Sequence, residues 1–158
     1  MGDMLVKLYQ LPESESAKQF AERTGITVRR AIGPELVTVA EWIEKRFGKG
    51  WRSETEIAFA RQPVACLIAV KDGELLGFAC YDATCRGFFG PTGVDEQMRG
   101  LGIGKQLLFE ALHAMRDYGY AYGIIGGAGP VDFYRRAVGA VEIEQPEPGI
   151  YSGMLKLV

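Results

Sequence analysis

The order of elements over residues 87–127 constrains this chain more than any other feature. "GFFGPTGV" (87–94) reads as a strand despite Pro91, which cannot donate to a ladder and so predicts an edge, a bulge or a break. Ile103, Leu107, Leu108, Ala111, Leu112 and Met115 then make one apolar stripe at helical spacing, closed by Gly119. "YAYGIIGG" (120–127) is strand-like again. A helix between two such strands implies a right-handed parallel crossover.

The flanking segments predict that the rest of the sheet is antiparallel. "PVACLIAV" and "LLGFACYDAT" are apolar runs joined at Asp72-Gly73, a strong hairpin signal. "ITVRRAI" (26–32) alternates as a first strand. Leu36, Ala40, Ile43 and Phe47 predict an amphipathic helix over 34–47, and Ser53 with Glu56 forms a capping-box pattern opening a second helix through Phe59. A short helix over 130–138, a strand at "AVEIE" and a last strand at "YSGMLKL" complete the order. The expected fold class is a mixed α/β domain: a mostly antiparallel central sheet with one parallel crossover and flanking helices. Residues 1–26 read as an N-terminal extension with a short polar helix, and 27–158 as the domain.

A formal charge of -2 leaves no polybasic footprint, so no nucleic-acid or membrane partner is expected and any anion site must be local. No apolar run approaches the roughly 18 residues that span a bilayer, and the start lacks a signal-peptide pattern, so a cytoplasmic protein is expected. Cys66, Cys80 and Cys85 lack metal-ligand spacing, and His113 is the only histidine, so no metal site is expected. In a regular hairpin Cys66 falls opposite Ala79, with Cys80 on the other face, which disfavours a disulfide. Cys85 as a nucleophile would need a cationic or basic partner, and His113 sits off the apolar stripe as a surface residue.

"RGLGIGK" (99–105) spends three glycines where a helix begins, although each costs roughly 0.5–1 kcal/mol relative to alanine inside an element. A helix N-terminus carries unpaired N–H groups and about half a positive charge, so a glycine-rich lead-in can wrap them around phosphate. A P-loop is excluded, because Arg99 stands six before Lys105 and Gln106 replaces the magnesium-binding hydroxyl. The dinucleotide pattern G-x-G-x-x-G also fails, with Lys105 where its third glycine belongs.

The stretch from Val94 through "RGLGIG" resembles the V-x-P-x-x-R-G-x-G-[IV]-G signature of the GNAT superfamily of acyl-CoA-dependent N-acyltransferases, with Glu96 where that family often has proline. "DFYRRAVGA" (132–140) resembles the family's aromatic-Tyr-x-x-x-G motif, one residue longer to the glycine and with Ala140 for phenylalanine. The resemblance implies acetyl-CoA as cosubstrate. Its pyrophosphate would rest on the amides of Arg99, Gly100, Leu101, Gly102, Ile103, Gly104 and Lys105, its pantetheine would pair with the main chain near Val94, and Tyr134 would protonate the departing thiolate. Gly127 stands where many members carry an asparagine.

The implied reaction is acetyl transfer by direct attack of a primary amine, the acceptor being an amine-bearing small molecule or a peptide. A noncatalytic acyl-CoA-binding sensor or interaction module on the same fold is the alternative. A general base is expected, and Glu56 and Asp82 are candidates by location, although both also fit capping or surface roles. Trp51, Phe59, Arg61, Tyr81, Thr84 and the loop "EQPEPGIY" would shape the acceptor pocket. An exposed final strand would be free to pair with a second copy as a homodimer.

Overall fold

The computed structural model describes residues 2–145 and 147–158. Seven strands form one sheet in the order β2-β3-β4-β5-β6-β1-β7. They are β1 (Met4–Lys7), β2 (Thr27–Arg30), β3 (Cys66–Lys71), β4 (Glu74–Tyr81), β5 (Phe88–Val94), β6 (Tyr122–Ile125) and β7 (Val141–Glu142). The helices are α1 (Ala17–Thr24), α2 (Leu36–Phe47), α3 (Lys49–Phe59), α4 (Ile103–Tyr118) and α5 (Val131–Val138). Among the described residues only β5 and β6 pair in parallel, and α4 is their crossover. The mixed α/β class with a mostly antiparallel sheet is what the element order predicts.

The apolar stripe of α4 lies on the sheet as its periodicity requires: Ile103, Leu107, Leu108, Ala111, Leu112 and Met115 are all buried. On the other face Trp42 and Phe47 of α2 and Trp51 of α3 close around the buried Phe78 of β4. The two layers use alternate residues of the same strands, because successive side chains of a strand point to opposite faces.

Four expectations are corrected. Residues 1–26 are not an appendage, since β1 lies between β6 and β7, and Met4, Val6, Leu8 and Phe20 are fully or almost fully buried. The predicted last strand does not form: Gly149–Tyr151 make one 3-10 turn and 152–158 pair with no strand. The seat beyond β6 is already taken by β1, so the final strand invoked for a homodimer does not exist among the described residues. Ser53 caps nothing, because α3 starts at Lys49 directly after Gly48, and the Ser53 hydroxyl donates back to the Lys49 carbonyl at 3.1 Å.

The fourth correction concerns the hairpin. Asp72 and Gly73 occupy its tip with φ of 51° and 76°, as a two-residue turn demands. Between Val70↔Leu75 and Ala69↔Gly77, however, Leu76 is an extra residue in β4, and this bulge moves every later pair by one. Cys66 therefore faces Cys80 rather than Ala79, with both present as free thiols.

Candidate active site

β5 and β6 share only two paired positions, Phe88↔Ile124 and Phe89↔Ile125. Beyond them β5 shifts register against β4 around Gly90 and Pro91, and its edge from Gly90 to Val94 has no strand beside it on the β6 side. The sheet is thus split open where β5 runs into the glycine loop. A cavity of about 670 Å³ fills the split, lined by Phe89, Thr92 and Val94 of β5, the start of α4, and Pro130, Phe133 and Tyr134 around α5.

Gly100 and Gly102 take φ of 87° and 83°, the left-handed region that side-chain-bearing residues avoid. This turns the chain so that α4 begins at Ile103 with no side-chain cap on Gly102. The first amide of this turn to find an acceptor among the described residues is that of Gln106, on the Gly102 carbonyl at 3.0 Å, so the N–H groups of Gly100 to Lys105 stay unspent. Ile103 anchors the turn by burying its side chain in the core. Neither Arg99 nor Lys105 is salt-bridged to a carboxylate among the described residues, and Arg99, Gly100, Gly102, Ile103, Gly104 and Lys105 all line the cavity. Leu101 belongs to the same turn but does not line it.

Tyr134 stands in the same cavity. Its ring packs edge-on against Phe89 and Phe133, with centroids 6.3 and 5.2 Å away, and burial pushes its phenol up to about 12. Among the described residues no protein group accepts or donates a hydrogen bond at its hydroxyl, which remains protonated and available at neutral pH.

Two other sequence candidates are not brought here. Glu56 is exposed and ion-paired with Arg52 at 3.1 Å, on the side of α3 turned away from the sheet. Asp82, with φ of 53°, is buried as a clamp: it accepts the Gly87 N–H at 2.7 Å and the Tyr120 hydroxyl at 2.9 Å, and pairs with Arg86 at 3.3 Å. Neither lines the cavity. Gly127 is outside it too, its N–H taken by Asp3 Oδ1 at 2.8 Å.

A second cavity, about 510 Å³, lies between α3, residues 83–84 and the segment 150–157. Trp51, Thr84 and Tyr151 of the predicted acceptor pocket line it. Phe59 packs on the core, Arg61 donates to the Asp82 carbonyl, and the Tyr81 hydroxyl accepts from Arg30, so these three serve structure. Pro146 of the predicted loop lies outside the described residues. The residue that sequence reasoning missed is Glu54, which lines this cavity and is hydrogen-bonded by the Thr84 hydroxyl. Burial raises its carboxyl above the ordinary value, and Thr84 offsets only part of that. A helical signal existed: Trp51, Glu54 and Ala58 share a face at i, i+3 and i+7, while Glu56 points elsewhere.

The sequence model of the acetyltransferase (GNAT) family matches residues 36–140. The chain belongs to that family. As a GNAT member it has β5, the glycine turn, α4, β6 and α5 inside the matched region, while β1 and the segment after β7 lie outside it. Among solved structures it is similar to the GCN5-related glucosamine N-acetyltransferase region of a fungal multi-domain GH3 β-N-acetylglucosaminidase, with a TM-score of 0.72 and 14% identity over 90% of this chain and 19% of that one. It is likewise similar to a GCN5-related N-acetyltransferase from Sphaerobacter thermophilus, with a TM-score of 0.69 and 23% identity over 90% of this chain and 48% of that one. A GNAT acetyltransferase from Brucella melitensis, solved with acetyl-CoA, matches at a TM-score of 0.51 and 22% identity, over 70% of this chain and 80% of its own. The GNAT member thus spans about a fifth and about half of the length of the first two, and no curated protein sequence matches it. Among the described residues no helix is long and apolar enough to cross a membrane, and no group of side chains could hold a metal ion.

Proposed function

We propose that the chain transfers an acetyl group from acetyl-CoA to a primary amine by direct attack. The observation that carries this reading is the run of unspent amides from Gly100 to Lys105 at the start of α4, in one cavity with the unpaired Tyr134 hydroxyl. Acetyl-CoA offers what those groups lack. The amides, with Arg99 and Lys105, hold its pyrophosphate at the positive end of the helix. The free edge of β5 from Gly90 to Val94 accepts the pantetheine arm as an added strand. A main-chain N–H on that edge polarises the thioester carbonyl, an oxyanion contact typically worth about 2.7–4 kcal/mol.

The acceptor's ammonium must first lose a proton, since holding a lysine-like amine neutral at pH 7 costs about 4.6 kcal/mol at about 1.36 kcal/mol per unit. The nitrogen lone pair then forms the N–C bond, the carbonyl re-forms, and the C–S pair leaves on sulfur, where Tyr134 supplies a proton. A second proton lost from nitrogen restores the Tyr134 hydroxyl, and the first reaches solvent.

Titration of the protein with CoA, beside thiol release from acetyl-CoA across an amine panel, tests the reading. Gly102→Val, with a branched side chain at a left-handed position, should abolish CoA binding and turnover together. Unchanged binding in that variant overturns the loop assignment. Tight CoA binding without thiol release from any amine would favour a sensor.

A further inference from the structure

We infer that the second cavity takes the acceptor, and that the acceptor is a small monoamine on an apolar or aromatic body whose ammonium Glu54 holds and deprotonates. This rests on the acetyl-transfer reading above.

The two cavities flank one opening from opposite faces of the sheet. Phe89 packs on Tyr134, whereas its neighbour Phe88 points the other way and lies against Gly126, the residue that follows β6. At Gly126 an added Cβ would lie 2.9 Å from the Phe88 ring and 3.3 Å from the Tyr151 hydroxyl. Tyr151 therefore roofs the gap between β5 and β6 on the α3 side, while Tyr134 stands beside it on the α4 side. Glu54 is close enough to Tyr151 for its charge to help raise the phenol, after burial and Asp3. An amine held at Glu54 thus faces the split in which the thioester is proposed to lie.

Charge and polarity select the class. Among the described residues Glu54 is the only ionic side chain lining the cavity. Of the charged groups on the surrounding elements, Lys49 of α3 and Lys156 do not line the cavity, and the others nearby are engaged elsewhere. Arg52 of α3 pairs with Glu44 and Glu56, Arg86 pairs with Asp82, Arg61 donates to the Asp82 carbonyl, and Asp3 accepts from Gly127. The Cys85 thiol is pushed up by burial, Asp3 and Asp82, and so remains uncharged. One carboxylate suits one ammonium, and a polycation would leave its further charges without partners.

Apart from the hydroxyls of Ser53, Thr84 and Tyr151, the rest of the wall is apolar. Ile57, Ile150, Met154 and Leu157 are about half exposed or more, yet gather around this cavity together with Trp51. Exposed apolar side chains grouped over a cavity of this size mark a ligand site, and a polyhydroxylated amino sugar would leave most of its hydroxyls unpaired against the apolar part of this wall.

Glu54 carries the first proton transfer of the reaction above. The ammonium gives one proton to the carboxylate, the neutral nitrogen attacks, and Glu54 releases that proton to solvent after the amide has formed. Raised above its ordinary value by burial, the carboxyl is nearer in basicity to the ammonium than an exposed glutamate would be.

The test compares wild type with Glu54→Gln, an isostere whose amide oxygen still accepts from Thr84. Thiol release from acetyl-CoA is followed with 2-phenylethylamine, glucosamine and aniline, and 2-phenylethylamine binding is measured separately by calorimetry. We expect 2-phenylethylamine to outperform glucosamine. Glu54→Gln should lose at least about a hundredfold in kcat/KM for it, together with the acidic limb of the pH profile, at unchanged CoA affinity. Aniline, already neutral at the assay pH, needs no base and should lose far less. A preference for glucosamine, an unaltered rate in Glu54→Gln, or an equal loss with aniline overturns the inference while leaving acetyl transfer standing. Absence of thiol release with every amine, but 2-phenylethylamine binding that disappears in Glu54→Gln, would instead refute the transfer reading and keep the amine site.

Discussion

Replacing Tyr134 by phenylalanine isolates one proton. The ring contacts with Phe89 and Phe133 survive, and the hydroxyl that is lost bonds to no described protein group. Stability should therefore change by less than about 0.5 kcal/mol, as for substitutions that remove no native interaction. The catalytic effect follows from the phenol at about 12. An ordinary thiol titrates near 8.5, so full transfer to a free thiolate would run uphill by about 3.5 units, roughly 4.8 kcal/mol. The proton must move while the C–S bond is still breaking, and a thiolate already leaves well without it. The loss in kcat should then fall in the lower half of the usual acid-catalysis range, about 10²–10³, or roughly 2.7–4.1 kcal/mol. Steady-state thiol release and CoA titration on the same preparation give the two numbers needed. A kcat within about threefold of wild type, roughly 0.6 kcal/mol, refutes the acid assignment, as does a loss that appears only in CoA affinity.

Other perturbations probe the frame around the site. Asp82→Ala strands the Gly87 N–H and the Tyr120 hydroxyl and should cost about 2–5 kcal/mol in urea unfolding, whereas Tyr120→Phe, which removes one bond, should cost about 1 kcal/mol. Gly93→Ala would put a Cβ 2.5 Å from Cζ of Phe47, a ring stacked on Trp51 at 4.8 Å and hemmed by Phe78, so the melting point should fall by the equivalent of about 1–3 kcal/mol. The Arg29 guanidinium holds Glu35 down to about 2 from 4.5, so this pair stabilises the fold above pH 4.5 and its contribution fades as the pH falls toward 2. With both side chains partly exposed the effect is about 1 kcal/mol, and Glu35→Gln should flatten the acid limb of stability by that amount. Native protein should be alkylated at Cys85 alone, because Cys66 and Cys80 are buried and Cys80 together with burial pushes the Cys66 thiol well up; early labelling of either would refute the facing, buried arrangement.

What the sequence by itself determined is local in origin. The crossover helix, the Asp72-Gly73 hairpin and the glycine turn before Ile103 each follow from side-chain period or from backbone freedom within a few residues, and all are legible without a structure. The glycine-turn half of the candidate site was legible for the same reason, since its free amides are consecutive. Tertiary structure decided the rest. Four residues, Met4–Lys7, become an inner strand only because Tyr122–Ile125 and Val141–Glu142 come to lie on either side of them, more than a hundred residues away. A single bulge at Leu76 brings Cys66 opposite Cys80, and periodicity carries no record of it. The choice between two glutamates on α3 was made by the face that meets the sheet, which leaves Glu56 with Arg52 and turns Glu54 into a cavity. Pairing and burial are sums over contacts between distant segments, so no window of neighbouring residues contains them.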